Sequence, residues 1–180
     1  MQWTYHKIGL SLTMNLTWSI VFTVVLLFFL YLIYTLKIDE SNAEKIAEDY
    51  KDIMFFMPQT DYQFRWTIFL SISAGITEEV IFRGFVFAFF DEMTGWIVAI
   101  LIANLIFALN HIWSGLKNLA SSFILGLIFS TIYILTESLI LPIILHIFVD
   151  LYSMRTVKLL NDYLAINHKL TPYTIGPKGL

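Results

Sequence analysis

The chain has 180 residues, 58% of them hydrophobic, 17% aromatic and only 14% charged, against roughly 25% charged in an ordinary soluble domain. Its net charge of −3 gives no basis for a nucleic-acid partner, and the absence of cysteine excludes disulfides, thiolate-bound zinc and a thiol nucleophile. Several apolar runs approach or exceed the roughly 20 residues needed to cross a bilayer, which predicts an all-α, polytopic membrane helical bundle with the lipid bilayer as its first partner.

The first predicted span runs from about Ile8 to Leu36 and carries no charge from Trp18 onward. It is far longer than the roughly 7–15-residue core of a signal peptide, so it reads as a retained helix. From Lys37 to Arg65 the chain turns polar. Ser41 is placed to cap a helix, with Glu44 completing a capping box. Ile46, Tyr50, Ile53 and Met54 recur at helical spacing, which predicts an amphipathic helix that lies on the membrane surface or forms a solvated linker. Pro58 and Gln59-Thr60-Asp61 end it.

The second span, Trp66–Phe90, contains Thr77-Glu78-Glu79-Val80-Ile81-Phe82-Arg83-Gly84. After a turn at Asp91–Gly95, the third span, Trp96–Ile112, closes on Phe107-Ala108-Leu109-Asn110-His111. The fourth, from about Leu119 to Leu135, carries Ser121, Ser122, Gly126 and Ser130, small residues suited to close helix contact. A break at Thr136-Glu137-Ser138 precedes the fifth, about Leu139–Met154, whose Pro142 suits a first helical turn. The division expected is a first transmembrane helix (1–36), a cytoplasmic polar connection with one amphipathic helix (37–65), a motif-bearing membrane core (66–154) and a polar cytoplasmic tail (155–180).

With five spans, Lys37, Lys45, Lys51, Arg65, Lys117, Arg155, Lys158, Lys169 and Lys178 fall on one side and only Lys7 on the other. That asymmetry predicts an outside N-terminus and a cytoplasmic C-terminus.

Glu78, Glu79, Arg83, His111, His146 and Asp150 are the ionisable residues within these spans or at their edges. Each charge near the bilayer centre costs at least about 2.5–3.5 kcal/mol, so such groups need partners, water or a task. On a regular helix Glu79 and Arg83, four apart, share a face and can pair, whereas Glu78 is turned about 100° away and left available. His146 and Asp150 are also four apart and face the same way. If the second, third and fifth spans pack together, these groups converge on one wet pocket.

A carboxylate in such a pocket can act as general base toward water, with a histidine sharing that water. Alternatively Glu78, His111 and His146 can ligate a divalent metal, zinc being the usual choice. Both routes lead to hydrolysis of an acyl or peptide bond. The Gly-x-Ser-Gly, His-Glu-x-x-His and Gly-x-Gly-Asp motifs of other intramembrane proteases do not occur. A proton- or ion-coupled carrier is disfavoured, because no inverted repeat is visible.

The motifs resemble those of the CPBP intramembrane proteases, which include the type II CAAX prenyl endopeptidases (Rce1-like) and the Abi, bacteriocin-processing proteins. Glu78-Glu79-Val80-Ile81-Phe82-Arg83 matches the family's Glu-Glu-x-x-x-Arg. Phe107 to His111 matches Phe-x-x-x-His, and His146 to Asp150 matches His-x-x-x-Asn/Asp. The similarity covers roughly Phe64 to Tyr152. It implies an intramembrane endopeptidase in which Glu78 activates water with His111 as its partner, Glu79 and Arg83 support it, and His146 and Asp150 hold the oxyanion or substrate carbonyl. It favours a metal-free water mechanism with zinc as the alternative, acting on a membrane-associated, prenylated or leader peptide or protein. A non-enzymatic immunity or scaffold protein of the same family is the competing expectation. Many members carry more spans than the five read here, which leaves the substrate class open.

Overall fold

A computed structural model describes residues 16–167. The part of the first predicted span before Leu16, and the tail from residue 168 with Lys169 and Lys178, lie outside the described residues, as does Lys7.

The described elements are helical: α1 (Leu16–Thr35), α2 (Ala43–Tyr50), α3 (Asp61–Glu79), α4 (Ala88–Thr94), α5 (Trp96–Leu109), α6 (Leu116–Thr136) and α7 (Ile140–Ile166). A π-helical stretch, Val80–Phe87, joins α3 to α4 without a break. Short 3-10 turns occupy Met54–Phe56 and Ile112–Ser114. Among the described residues three helices are long and apolar enough to cross a membrane: Thr17–Thr35, Leu116–Thr136 and Ile140–Ile166. Trp96–Leu109 is apolar but shorter, about 21 Å of helix at 1.5 Å per residue. This is an all-α membrane helical bundle.

The chain divides into two compact units. Among the described residues, one holds those up to Leu27 together with Ile72–Ile147; the other holds Phe28–Ser71 and those from Phe148 onward. In the first, α5 packs against α6, α4 and the π-helical stretch. Ala99 and Ala103 give α5 a face without bulk, and Phe87, Tyr133 and Leu139 fill the space beside it. The Phe87 and Tyr133 rings meet edge to face at 5.7 Å. Gly95 and Gly115 take φ of 83° and 96°, conformations open to glycine at little cost, and so end α4 and the Ile112–Ser114 turn. Glu137, at φ 51°, stops α6 where the break was predicted.

Gly75 sets the approach of α3 to α7. A Cβ there would lie 2.6 Å from Ile147 Cγ1 and 3.2 Å from the Ile143 carbonyl oxygen, so only a bare Cα fits. One turn further along α3 stand Glu78 and Glu79; beside Ile147 on α7 stands His146.

In the second unit the first part of the expected polar tail is helical: α7 continues unbroken from the fifth span past Arg155 to Ile166. Val157, Leu160 and Leu164 recur at helical spacing and are buried with Ala43, Met54 and Met57, and Ile46, Tyr50 and Ile53 pack on the same cluster. The apolar face of α2 is therefore covered by α7. Lys158 tolerates its burial because Asp61 and Asp162 hold its ammonium at 3.0 and 2.6 Å. The Asn161 side chain donates to the Pro58 carbonyl at 3.3 Å.

The predicted Ser41–Glu44 capping box does not form. The Ser41 hydroxyl and backbone N–H both donate to Asp39 Oδ1, at 2.6 and 2.9 Å, and hold that carboxyl below its usual range. The Asn42 side chain closes the loop by accepting from the Asp39 N–H and donating to the Lys37 carbonyl, both at 3.0 Å. Asp39 and Asn42 thus do locally what the box would have done.

Leu160 is fully buried and Ile166 is 77% exposed on the same helix. Leu160→Ala is expected to cost about 2–5 kcal/mol of stability, and Ile166→Ala no more than about 0.5 kcal/mol. Unfolding midpoints in detergent check both; equal, small effects would mean that the end of α7 is not packed.

Candidate active site

Arg83 lies on the π-helical stretch and is fully buried. Its guanidinium keeps its charge at any accessible pH and carries five N–H donors, so it draws acceptors in from every side. Nη1 donates to Glu79 Oε1 at 3.0 Å, and Nη2 to the Gly126 carbonyl at 3.0 Å and to Asn104 Oδ1 at 3.2 Å. Nε points at Ser130 Oγ, 3.4 Å away. The Phe107 and Phe129 rings lie 4.6 and 5.7 Å from its carbon centre, adding cation–π contact.

Close approach of α6 makes this arrangement possible. A Cβ on Gly126 would fall 2.5 Å from Asn104 Oδ1, 3.1 Å from Arg83 Nη2 and 3.2 Å from Phe107. Small residues in α6 were predicted to serve helix contact, and at Gly126 that contact reaches a buried cation.

Glu79 is fully buried, and its Oε1 takes a second bond, 2.8 Å from His146 Nδ1. A carboxylate paired with arginine has only lone pairs to offer, so Nδ1 carries the proton and donates it. That fixes the ring and leaves Nε2 facing Glu78, whose Oε2 is 3.8 Å away. The His146 ring is 6% exposed and stacks on Phe129 at 5.5 Å. Glu78 Oε2 and Glu79 Oε2 are both buried without a hydrogen bond within the protein, but Glu79 has its other oxygen bonded whereas Glu78 makes no such bond. One carboxylate is committed to Arg83 and His146, and the other is not, the asymmetry expected from their positions on the helix.

Among the described residues no direct bond joins Glu78 to His111, the partner expected for it. The imidazole beside Glu78 belongs to His146. His111, where α5 passes into the 3-10 turn, directs Nδ1 at the Phe107 carbonyl, 3.0 Å away. The two histidines are instead linked through Phe107, whose ring lies 5.0 Å from that of His111 and 6.1 Å from that of His146. The cause is register: spacing within a helix says which residues share a face, not which residue of another helix sits opposite. Asp150 follows His146 by one turn on α7 and belongs to the second compact unit. The alternative metal set is not gathered: among the described residues no group of three or more His, Asp or Glu side chains is disposed to hold a metal ion.

Asn104 was missed altogether, because only ionisable groups were weighed in the spans. Its signal was visible as a single amide inside the otherwise apolar Trp96-Ile97-Val98-Ala99-Ile100-Leu101-Ile102-Ala103-Asn104-Leu105-Ile106-Phe107. The π-helical stretch had no such signal; it begins one residue after Glu79, and segments of this kind are frequent at functional sites.

Residues 60–152 match a family model described as type II CAAX prenyl endopeptidase, Rce1-like, over more than half of the chain and across all six motif residues. The chain belongs to this family. Within it, the membrane-embedded CAAX protease MroQ of Staphylococcus aureus (strain USA300) is 37% identical over 84 residues, covering 43% of this chain and 33% of that protein. The chain spans about a third of the length of this curated relative. No solved structure matches it.

Removing one partner from a buried ion pair costs about 3–5 kcal/mol, because the other charge is left uncompensated. Arg83→Met is expected to lower stability by that amount, and the Glu79→Gln/Arg83→Met double variant to regain a large part of it. Detergent unfolding of the single and double variants checks the coupling; purely additive losses would mean that the two charges do not depend on each other.

Proposed function

We propose that this chain is a membrane-embedded endopeptidase that hydrolyses a peptide bond in a membrane-associated peptide or protein, using water activated by Glu78. Membership of an endopeptidase family supports the reaction class. The observation that carries the assignment is the buried Glu78 Oε2, unbonded within the protein and 3.8 Å from the Nε2 face of a histidine whose other nitrogen is already engaged.

A water between the two donates one hydrogen to Glu78 and the other to Nε2. As the water oxygen bonds to the substrate carbonyl carbon, its proton passes to Glu78. The same proton goes to the departing amine nitrogen as the C–N bond breaks, and Glu78 returns to its starting form. Glu79 and Arg83 act through His146, holding it in the tautomer that presents a lone pair to the water. This gives His146 an orienting role in place of the oxyanion role implied by the resemblance: with the Nδ1 proton given to Glu79, its Nε2 donates only after taking up a proton. His111 and Asp150 are carried as site residues on the family motif. Prenylated and leader-peptide substrates both fit the reaction, and the bias of basic residues supports a cytoplasmic C-terminus.

Glu78→Gln keeps the shape and removes the base, so cleavage of labelled peptides in membranes is expected to fall by about 10²–10⁴-fold, with no dependence on a strong chelator in the wild type. Equal cleavage by the two proteins would rule out Glu78 as the base. Loss on chelation would transfer the water's activation to a metal. Partner binding by both forms, with cleavage by neither, would favour the immunity or scaffold reading.

A further inference from the structure

Asn104 reaches no motif residue except Arg83, yet its amide can sit in only one orientation. Nδ2 donates to the Ile100 carbonyl at 2.9 Å and to Ser130 Oγ at 3.1 Å. Oδ1 faces Arg83 Nη2 at 3.2 Å. Turned over, the amide would set its N–H donors against a guanidinium that can only donate, and its oxygen against a carbonyl that can only accept. Asn104 is fully buried and Ser130 is 1% exposed, so water cannot take the place of either. Gly126 lies against the same oxygen, so closely that a Cβ on it would fall 2.5 Å from Asn104 Oδ1.

We infer that Asn104, seconded by Ser130, is the positioning residue of the site: its fixed amide aims the Arg83 guanidinium at Glu79, and Glu79 in turn holds the proton of His146 on Nδ1. The inference rests on the proposed endopeptidase reading only for its consequence in rate, since the tautomer is a property of the resting protein. With Asn104 Oδ1 removed, Nη2 keeps only the Gly126 carbonyl, the guanidinium gains freedom to rotate, and Glu79 Oε1 loses its orientation toward Nδ1. The ring then gains access to the form protonated on Nε2, which turns an N–H toward the place where the attacking water needs a lone pair.

The experiment is ¹⁵N NMR of histidine-labelled full-length protein in micelles, with the His146 signals assigned from a His146→Phe spectrum, alongside peptide-cleavage kinetics. Wild type is expected to show His146 protonated at Nδ1. Asn104→Leu is expected to shift signal intensity toward the form protonated only at Nε2, with kcat lower by about 10–100-fold and KM changed less than twofold. Ser130→Ala is expected to move both readouts the same way and less far. Asn104→Ser, which restores a small acceptor, is expected to recover part of each; these two variants decide the matter if Asn104→Leu does not fold.

A folded Asn104 variant that loses activity with His146 still protonated at Nδ1 would overturn the inference, because the residue would then be merely structural. An unchanged kcat with an altered tautomer would overturn it as well. A wild type protonated at Nδ1 that cleaves no peptide would remove the endopeptidase reading and leave the clamp on the tautomer standing.

Discussion

Burial of the Arg83 guanidinium is the constraint on which the membrane core depends. A guanidinium cannot shed its charge to suit an apolar surrounding, as a buried lysine or carboxyl group can, so the surrounding must be built to suit it. The acceptors come from three elements: Glu79 at the end of α3, Asn104 on α5, and the Gly126 carbonyl with Ser130 on α6. Each acceptor imposes a requirement of its own. The Gly126 carbonyl is reachable only because that residue has no side chain, and the Asn104 amide must point one way. Much of what looks like ordinary helix packing in this unit is the solvation shell of one cation.

A second dependence follows from the first. Pairing with Arg83 makes Glu79 a firm acceptor, and a firm acceptor fixes the proton of His146. Glu78, next in sequence, makes no bond to Arg83, so two chemically identical neighbours have different surroundings. Gly75 belongs to the same chain of causes, since the contact between α3 and α7 that it permits brings Glu79 within 2.8 Å of His146. Arrangement, not residue type, separates the carboxylate bonded to Arg83 and His146 from the one left unbonded.

Relations within one helix were legible in the sequence, and relations between helices were not. The Glu79–Arg83 pair, the spare Glu78, Pro142 in the first turn of α7 and the stop at Glu137 all follow from local spacing. The neighbour of Glu78 does not, because no single-helix pattern carries the register of α7 against α3, which sets His146 beside it. Amphipathicity likewise showed that α2 has an apolar face without showing what covers it. That cover, the Val157–Leu160–Leu164 face of α7, went unread because the charged residues around it made the segment look like a tail. The amide of Asn104 was legible in principle, but a search for charges passes over a neutral group.

Lys158 shows by contrast why the central cation is an arginine. An ammonium is a point charge with three donors, and Lys158 is satisfied by the carboxylates of Asp61, largely exposed, and Asp162, about half exposed. That solution needs two more charges and access to water. At the depth of Arg83 only one carboxylate is supplied, and the remaining donors go to an amide, a backbone carbonyl and a hydroxyl spread around a planar group. A lysine there could reach Glu79, but it could not span Gly126, Asn104 and Ser130 at once, and those groups would be left facing one another without the donor that now joins them. The fork geometry therefore does more than neutralise Glu79: it ties α5 and α6 to the residue that orients His146, so that the packing of the bundle and the orientation of the candidate active site are set by the same side chain.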